Sequence, residues 1–163
     1  MPFGGKDGRL GAWRALVESQ KAGKARSIGV SNFGLHHLKE LEEYIQRTGE
    51  GRIEVGQYEL HPWLGRAELV DWLRERDVLI EAYFPLARGT RMDEPILWAI
   101  SKKHGKNPAQ VLIRWSLQKV RFDHDGLMAH GLANIILIAF HSGFCAAAKI
   151  CYPEAHPREC GCV

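Results

Sequence analysis

Four side chains in this sequence combine what is needed to grip a flat, polar ring: Ser31, Asn32, Gln57 and Tyr83. An amide carries donors and an acceptor, a hydroxyl carries both, and a phenol offers an aromatic face. Two amides and a hydroxyl match a planar carboxamide, and the aromatic face stacks on a flat heterocycle; a nicotinamide ring needs both. Position matters as much as type. Each residue lies where a strand-like run gives out: Val30 leads into Ser31 and Asn32, the run from Arg52 ends at Gln57, and the run from Val78 ends at Tyr83, ahead of Phe84 and Pro85. In a parallel β/α barrel, the loops that follow the strands converge on a single mouth. A plainer account also exists. Ser-Asn after a strand is an ordinary helix-capping turn, and a tyrosine at a strand end is commonly core. On chemistry alone the plainer account carries more weight.

The elements that must position these residues are legible from periodicity. Leu10, Trp13, Leu16 and Val17 fall on one face of a helix that stops near Gly23, a residue able to take the left-handed conformation that ends helices. A strand over Ala25 to Val30 follows. Leu35, Leu38, Leu41 and Ile45 recur at helical spacing, and a second strand runs from Arg52 to Gln57. Leu69, Val70 and Leu73 mark a third helix. The nearly continuous apolar run from Val78 to Tyr83 fits a strand covered on both faces of a parallel sheet. Ile96, Leu97 and Ile100 mark another helix, and Asn107, Pro108 and Gln110 open one more with a cap, a first-turn proline and a capping-box partner. Val111, Leu112 and Trp115 are its expected buried side. The near-equal spacing of the strand ends is the repeat of a β/α unit, and the absence of a G-x-G-x-x-G turn favours a barrel over a dinucleotide-binding doubly wound sheet.

Four strings in this order resemble consecutive signatures of the aldo-keto reductase family. They are Gly23-Lys24-Ala25-Arg26-Ser27-Ile28-Gly29-Val30-Ser31-Asn32-Phe33, Gln57-Tyr58-Glu59-Leu60-His61-Pro62-Trp63-Leu64, Ala82-Tyr83-Phe84-Pro85-Leu86 and Pro108-Ala109-Gln110-Val111-Leu112-Ile113-Arg114-Trp115. The resemblance implies an α/β fold, specifically a partial (β/α)8 TIM barrel over residues 8–119 covering about strands 5 to 7 and their helices. It implies NADPH as cofactor, with Ser31, Asn32 and Gln57 holding the carboxamide, Tyr83 stacking on the nicotinamide, and Phe84, Pro85 and Leu86 opening the loop over the pyrophosphate. The family reaction is reduction of aldehydes or ketones to alcohols, so full-length relatives take a small-molecule carbonyl substrate. Two departures stand out: Gly56 where the family often has Asn, and Phe84 where it often has Ser. Both remove a polar side chain. The family's catalytic Tyr, Lys, Asp and His come from the first half of the barrel, which is expected to be absent here, so no catalytic residue is assigned. Tyr44, Tyr58 and Tyr152 do not lie in the matching strand, and His61 sits in a His-Pro that is structural in the family pattern. A catalytically inactive truncated product, retaining only part of the cofactor site, is the alternative.

The remaining composition excludes other classes. The 22 basic and 19 acidic residues are scattered and leave a formal charge of +3, without the basic block that tracks a phosphate backbone, so nucleic-acid binding is not expected. The most apolar stretch, Leu132 to Phe140, is too short to span a bilayer, and no secretory leader is visible, so a cytoplasmic address without membrane attachment is expected. No partner protein is implied. Residues 120–163 are expected to form an aberrant tail without structure. Its Cys145, Cys151, Cys160 and Cys162 lack the spacing of paired CxxC knuckles, and no metal site is assigned. The degenerate codons of Gly143 through Val163, read one base later, permit G-F-V-P-L-P-K-S-V-T-P and then R-I-x-E-N-A-D-V, the family's last-strand sequence. Val120 to about Ser142 is accordingly expected to translate an unspliced intron, and the remainder a last barrel exon in the wrong frame.

Overall fold

The computed structural model describes residues 5–120 and 135–139. Its elements are α1 (Gly5–Lys21), β1 (Ser27–Ser31), α2 (Leu35–Thr48), β2 (Val55–Glu59), α3 (Ala67–Arg74), β3 (Leu79–Tyr83), a 3-10 turn (Ala87–Gly89), α4 (Pro95–His104), α5 (Pro108–Val120) and β4 (Ile135–Ala139). The fold is α/β with a parallel sheet. Hydrogen-bonded neighbours give the strand order β3-β2-β1-β4. The described residues divide into two compact units, one reaching Val55 and including β4, the other beginning at Gly56.

In the first unit, α1 buries Leu10, Trp13 and Val17 as its spacing predicts, while Leu16 is half-covered. Trp13 is wholly enclosed, and its indole N–H donates to the Glu50 carbonyl at 3.2 Å, so its one polar atom is satisfied. The helix stops where expected. Gly23 is left-handed (φ +70), its N–H donates to Gln20 O, and Lys24 N–H donates to Ser19 O, which together close the last turn. In β1, Ile28 and Val30 are fully buried. Gly29 between them allows an unusually close approach, because a Cβ there would lie 2.1 Å from the Val55 carbonyl oxygen. The start of the strand is pinned by Glu54, whose carboxylate accepts from the Ile28 N–H at 2.8 Å and from Gln20 Nε2 at 2.9 Å. α2 turns Leu38 and Leu41 inward.

β4 is the main departure from sequence expectation. It runs parallel to β1, with Ser27 opposite Ile135 through to Ser31 opposite Ala139, inside the segment expected to lack structure. The physical reason is an open strand edge: five consecutive apolar residues without a turn former can supply the backbone partners that the free side of β1 needs. The sheet therefore has four strands among the described residues, one more than the sequence suggests. The clustered cysteines, Tyr152 and the shifted-frame segment lie outside the described residues.

In the second unit, β2 alternates. Tyr58 is buried while Gln57 and Glu59 are only half-covered. α3 buries Leu69, Val70, Trp72 and Leu73. β3 differs from its reading as a strand covered on both faces: Ile80 is buried, whereas Leu79, Glu81, Ala82 and Tyr83 are half-covered. α5 opens with the expected reciprocal cap, Gln110 N–H to Asn107 Oδ1 at 2.9 Å and Asn107 N–H to Gln110 Oε1 at 3.0 Å. Leu112 is its buried apolar anchor, and Ser116 donates to the Leu60 carbonyl at 3.2 Å. α4 forms where expected, yet of Ile96, Leu97 and Ile100 only Leu97 is buried.

Candidate functional site

In the first unit, Ser31 is the last residue of β1 and is 2% exposed. Asn32 follows directly in the left-handed region (φ +57). Asn is among the few non-glycine residues that adopt this conformation readily, since its short amide hydrogen-bonds locally. The backbone then extends through Gly34 into α2, while Phe33 is buried at 1% exposure with its ring edge-on to His37. A hydroxyl-bearing and an amide-bearing residue thus follow one another at the C-terminal end of a buried strand, between the two buried residues Val30 and Phe33. Neither side chain caps the helix as the plainer account would have it, since Gly34 is the N-cap of α2.

In the second unit, Gln57 stands in the middle of β2 rather than at its end, because the strand continues to Glu59. Its Nε2 donates to Glu81 Oε2 at 2.9 Å. That contact leaves the amide oxygen to face another donor and puts Gln57 and Glu81 on one face. By strand alternation Tyr83 shares the face of Glu81. The opposite face of β2 belongs to the core: a Cβ on Gly56 would meet the Tyr58 ring at 2.9 Å and Leu73 at 3.4 Å. The polar side chain missing at Gly56 is therefore missing from the helix-packed side, where the Tyr58 ring fills the space, and not from the side of Gln57.

Tyr83 ends β3, and its ring meets Phe84 edge-on at 5.2 Å. Phe84 (φ +50), Ala87 (φ +47) and Arg88 (φ +56) are all left-handed, a concentration of unfavourable backbone that costs about 1–3 kcal/mol per residue. Phe84, Pro85 and Leu86 line an apolar cavity of about 530 Å3 with Arg88, Gly89 and Ile113. The Arg88 guanidinium lies over the Phe84 ring, 4.5 Å from its centre. The three residues expected to open a loop over a ligand thus form one wall of a real concavity.

The remaining candidates behave as structural groups. His61 is buried, with Nε2 at 3.3 Å from Glu59 Oε1 and Nδ1 without a partner. Burial pushes the Tyr58 phenol up and leaves its hydroxyl unpaired. Tyr44 is also raised, by desolvation and then by its 2.9 Å hydrogen bond to Glu50. A proton donor in carbonyl reduction needs a shift the other way. Among the described residues no cluster of His, Cys, Asp and Glu could hold a metal ion, and no helix is long and apolar enough to cross a membrane. The sequence reading overlooked Glu81, whose carboxylate orients Gln57. Its signal was a lone acid in an apolar strand run.

The family model for the aldo/keto reductase family matches residues 6–139. The chain belongs to the aldo-keto reductase family. The match continues past Lys119 to the end of β4, further than the four motif strings reach. Glyoxal reductase of Bacillus subtilis is 44% identical over 114 residues, which make up 70% of this chain and 40% of that protein. Methylglyoxal reductase DkgA of Escherichia coli is 39% identical over 108 residues, 65% of this chain and 38% of that protein. This aldo-keto reductase chain thus spans about two-fifths of the length of the curated relatives it matches. Among solved structures, an aldo-keto reductase from a Medee basin deep-sea metagenome superposes with a TM-score of 0.65 at 33% identity, covering 72% of this chain and 43% of that one. A mutant of Gox0644, solved in complex with NADPH, gives 0.57 at 40% identity, with 65% and 38% covered.

Proposed function

We propose that this chain is an aldo-keto reductase-like oxidoreductase piece that carries part of an NADPH site on strands 5 to 7 of a (β/α)8 barrel. In this reading Ser31, Asn32 and Gln57 hold the carboxamide, Tyr83 stacks on the nicotinamide, and Phe84, Pro85 and Leu86 cover the pyrophosphate. The observation that carries it is the placement of Ser31 and Asn32, a hydroxyl and an amide at the C-terminal end of a buried parallel strand, where ligands bind in barrels. The polar face of Gln57, Glu81 and Tyr83 in the second unit supports it, as that face would be the barrel interior. The residues fit the cofactor's chemistry, since a carboxamide needs paired donors and acceptors and a flat ring needs an aromatic neighbour. NADPH, when bound, supplies a hydride to a carbonyl carbon. The protein's own part is to fix the ring's plane and orientation and to keep the amide groups from rotating. Two relatives are named for glyoxal and methylglyoxal, so a small dicarbonyl is the first substrate to offer. A cytosolic address completes the reading.

A second reading is the inactive product: a chain that spans about two-fifths of its curated relatives, with no catalytic residue assigned, would bind cofactor without turning over. One experiment separates the two. NADPH is titrated against the intact chain while tryptophan fluorescence is followed, and reduced nicotinamide is then monitored with methylglyoxal present. Saturable quenching that weakens about tenfold in Asn32→Ala and Gln57→Ala supports the site, corresponding to about 1.4 kcal/mol per lost contact. Turnover favours the enzyme, and binding alone favours the inactive product. Quenching unchanged in both variants would overturn the site. The shifted-frame reading of Gly143 to Val163 stays with this proposal, whereas the family match runs through residues 120–139 and counts against an intron origin for that stretch. The transcript sequence tests it.

A further inference from the structure

The turn that presents Ser31 and Asn32 is tied to α2 by a bond of unusual chemistry. Gly34, the residue before the helix, has no side chain with which to cap it. Instead, the Gly34 carbonyl accepts from the His37 and Leu38 N–H groups at 2.9 and 3.0 Å, and the Gly34 N–H donates to His37 Nδ1 at 3.3 Å. An imidazole nitrogen accepts only when it carries no proton, so this bond exists only for the neutral ring with its hydrogen on Nε2. The same ring braces Phe33 edge-on at 5.7 Å, and Phe33 adjoins Asn32. One side chain therefore holds both the residue after Asn32 and the one beyond it.

We propose that His37 is a positioning residue for the Ser31–Asn32 turn and an acid-sensitive latch: the neutral ring holds the turn closed, and protonation at Nδ1 releases it.

The surroundings disfavour the charged ring. The His36 ring lies against His37 with centroids 3.7 Å apart. From α1, Arg9 approaches, and from α2, Glu40; these two are already joined by three contacts of 2.7–2.9 Å, so the carboxylate is committed elsewhere. The first turn of α2 holds no acid, so the positive end of the helix dipole faces the ring unopposed. Burial first, then His36, then Arg9 lower the His37 pKa below its ordinary 6.5, with Glu40 opposing. The sign follows. A pKa depressed on folding means that the unfolded chain binds the proton more readily, so the latch contributes fully above about pH 6.5 and is lost as pH falls through the lowered value. Once protonated, Nδ1–H would face the Gly34 N–H, donor against donor.

The link from latch to cofactor rests on the reading that Ser31 and Asn32 hold the carboxamide, and the test separates the two. In the isotope-labelled intact chain, hydrogen-exchange protection of the Gly34 amide, corrected for intrinsic exchange, is followed from about pH 8 to about pH 5 together with the His37 ring nitrogens. Protection is expected to fall about tenfold as His37 titrates. His37→Gln supplies a non-titrating acceptor at the same helical position and should remain flat across that range. His36→Gln should move the midpoint upward without abolishing it. An unchanged pH response in His37→Gln, or a neutral His37 found with its proton on Nδ1, overturns the latch, and the second measurement needs no variant to fold. In parallel, NADPH affinity should weaken about fivefold over the same range in the native chain and hold steady in His37→Gln. If NADPH fails to bind at any pH while the Gly34 amide follows His37, the cofactor reading falls and the latch stands. If both proteins lose NADPH equally with acid, the positioning role is refuted.

Discussion

Glu81 shows how a single charge can decide what a neighbouring amide does. Its carboxylate takes one N–H of Gln57 at 2.9 Å and so sets which way the amide faces, with the Gln57 oxygen directed away from Glu81 as an acceptor for a ligand's donor. Free rotation of that amide would halve the fraction in the useful orientation and add an entropic cost on binding. Glu81→Ala is therefore expected to weaken NADPH binding about fivefold, roughly 1 kcal/mol, without changing the unfolding midpoint by more than a degree or two. Fluorescence titration and thermal melts check the two halves. Equal affinity in the variant would mean that the Gln57 orientation has no bearing on the site. Ser31, Asn32, Gln57 and Tyr83 could be singled out from the sequence because they lie in strings that resemble the family's signatures. Glu81 left only a faint mark, a lone acid in an apolar run, because its importance depends on which cross-strand neighbour it meets.

Among the helices whose ends lie within the described residues, termination follows one backbone rule with one exception. α1, α2 and α4 are followed by left-handed Gly23, Gly49 and Gly105, whereas the turn after α3 puts Asp77 at φ +52. There, Asp77 N–H donates to Arg74 O and Val78 N–H to Leu73 O, both at 3.0 Å, the bonds of a helix stop that favours glycine. Asp77→Gly should relieve the Cβ crowding and raise stability by about 0.5–1 kcal/mol, measured by urea unfolding. A loss of stability would show that the aspartate side chain itself holds the turn. The helix stops and the Asn107/Gln110 cap were legible because they are local: each depends on residues within one turn of chain. Strand bounds were less so, and Gln57 proved to be mid-strand, because a strand ends where its partner's hydrogen bonds end.

At the scale of the whole molecule, the second unit leaves large apolar side chains on its helices in solvent. Ile96 is 68%, Trp98 56% and Leu117 53% exposed. Large apolar side chains left in solvent favour association. The double variant Trp98→Lys with Leu117→Lys should remain monomeric at concentrations where the native chain associates, as light scattering would show, with secondary structure unchanged by circular dichroism. Association of both proteins at the same concentration would place the sticky surface elsewhere.

The sequence by itself determined the helix faces of α1, α2 and α3, the capped start of α5, the β/α alternation and the family to which the chain belongs. These follow from periodicity and from short strings of chain, so no distant partner is needed to read them. Tertiary structure alone decided that Ile135 to Ala139 pairs with β1, that Gly56 lies under the Tyr58 ring on the side away from Gln57, that β3 keeps one face half-open, and that α4 shows Ile96 and Ile100 to water. Each of these depends on what a distant part of the chain brings alongside, and an apolar residue carries no local mark of which neighbour, if any, will cover it.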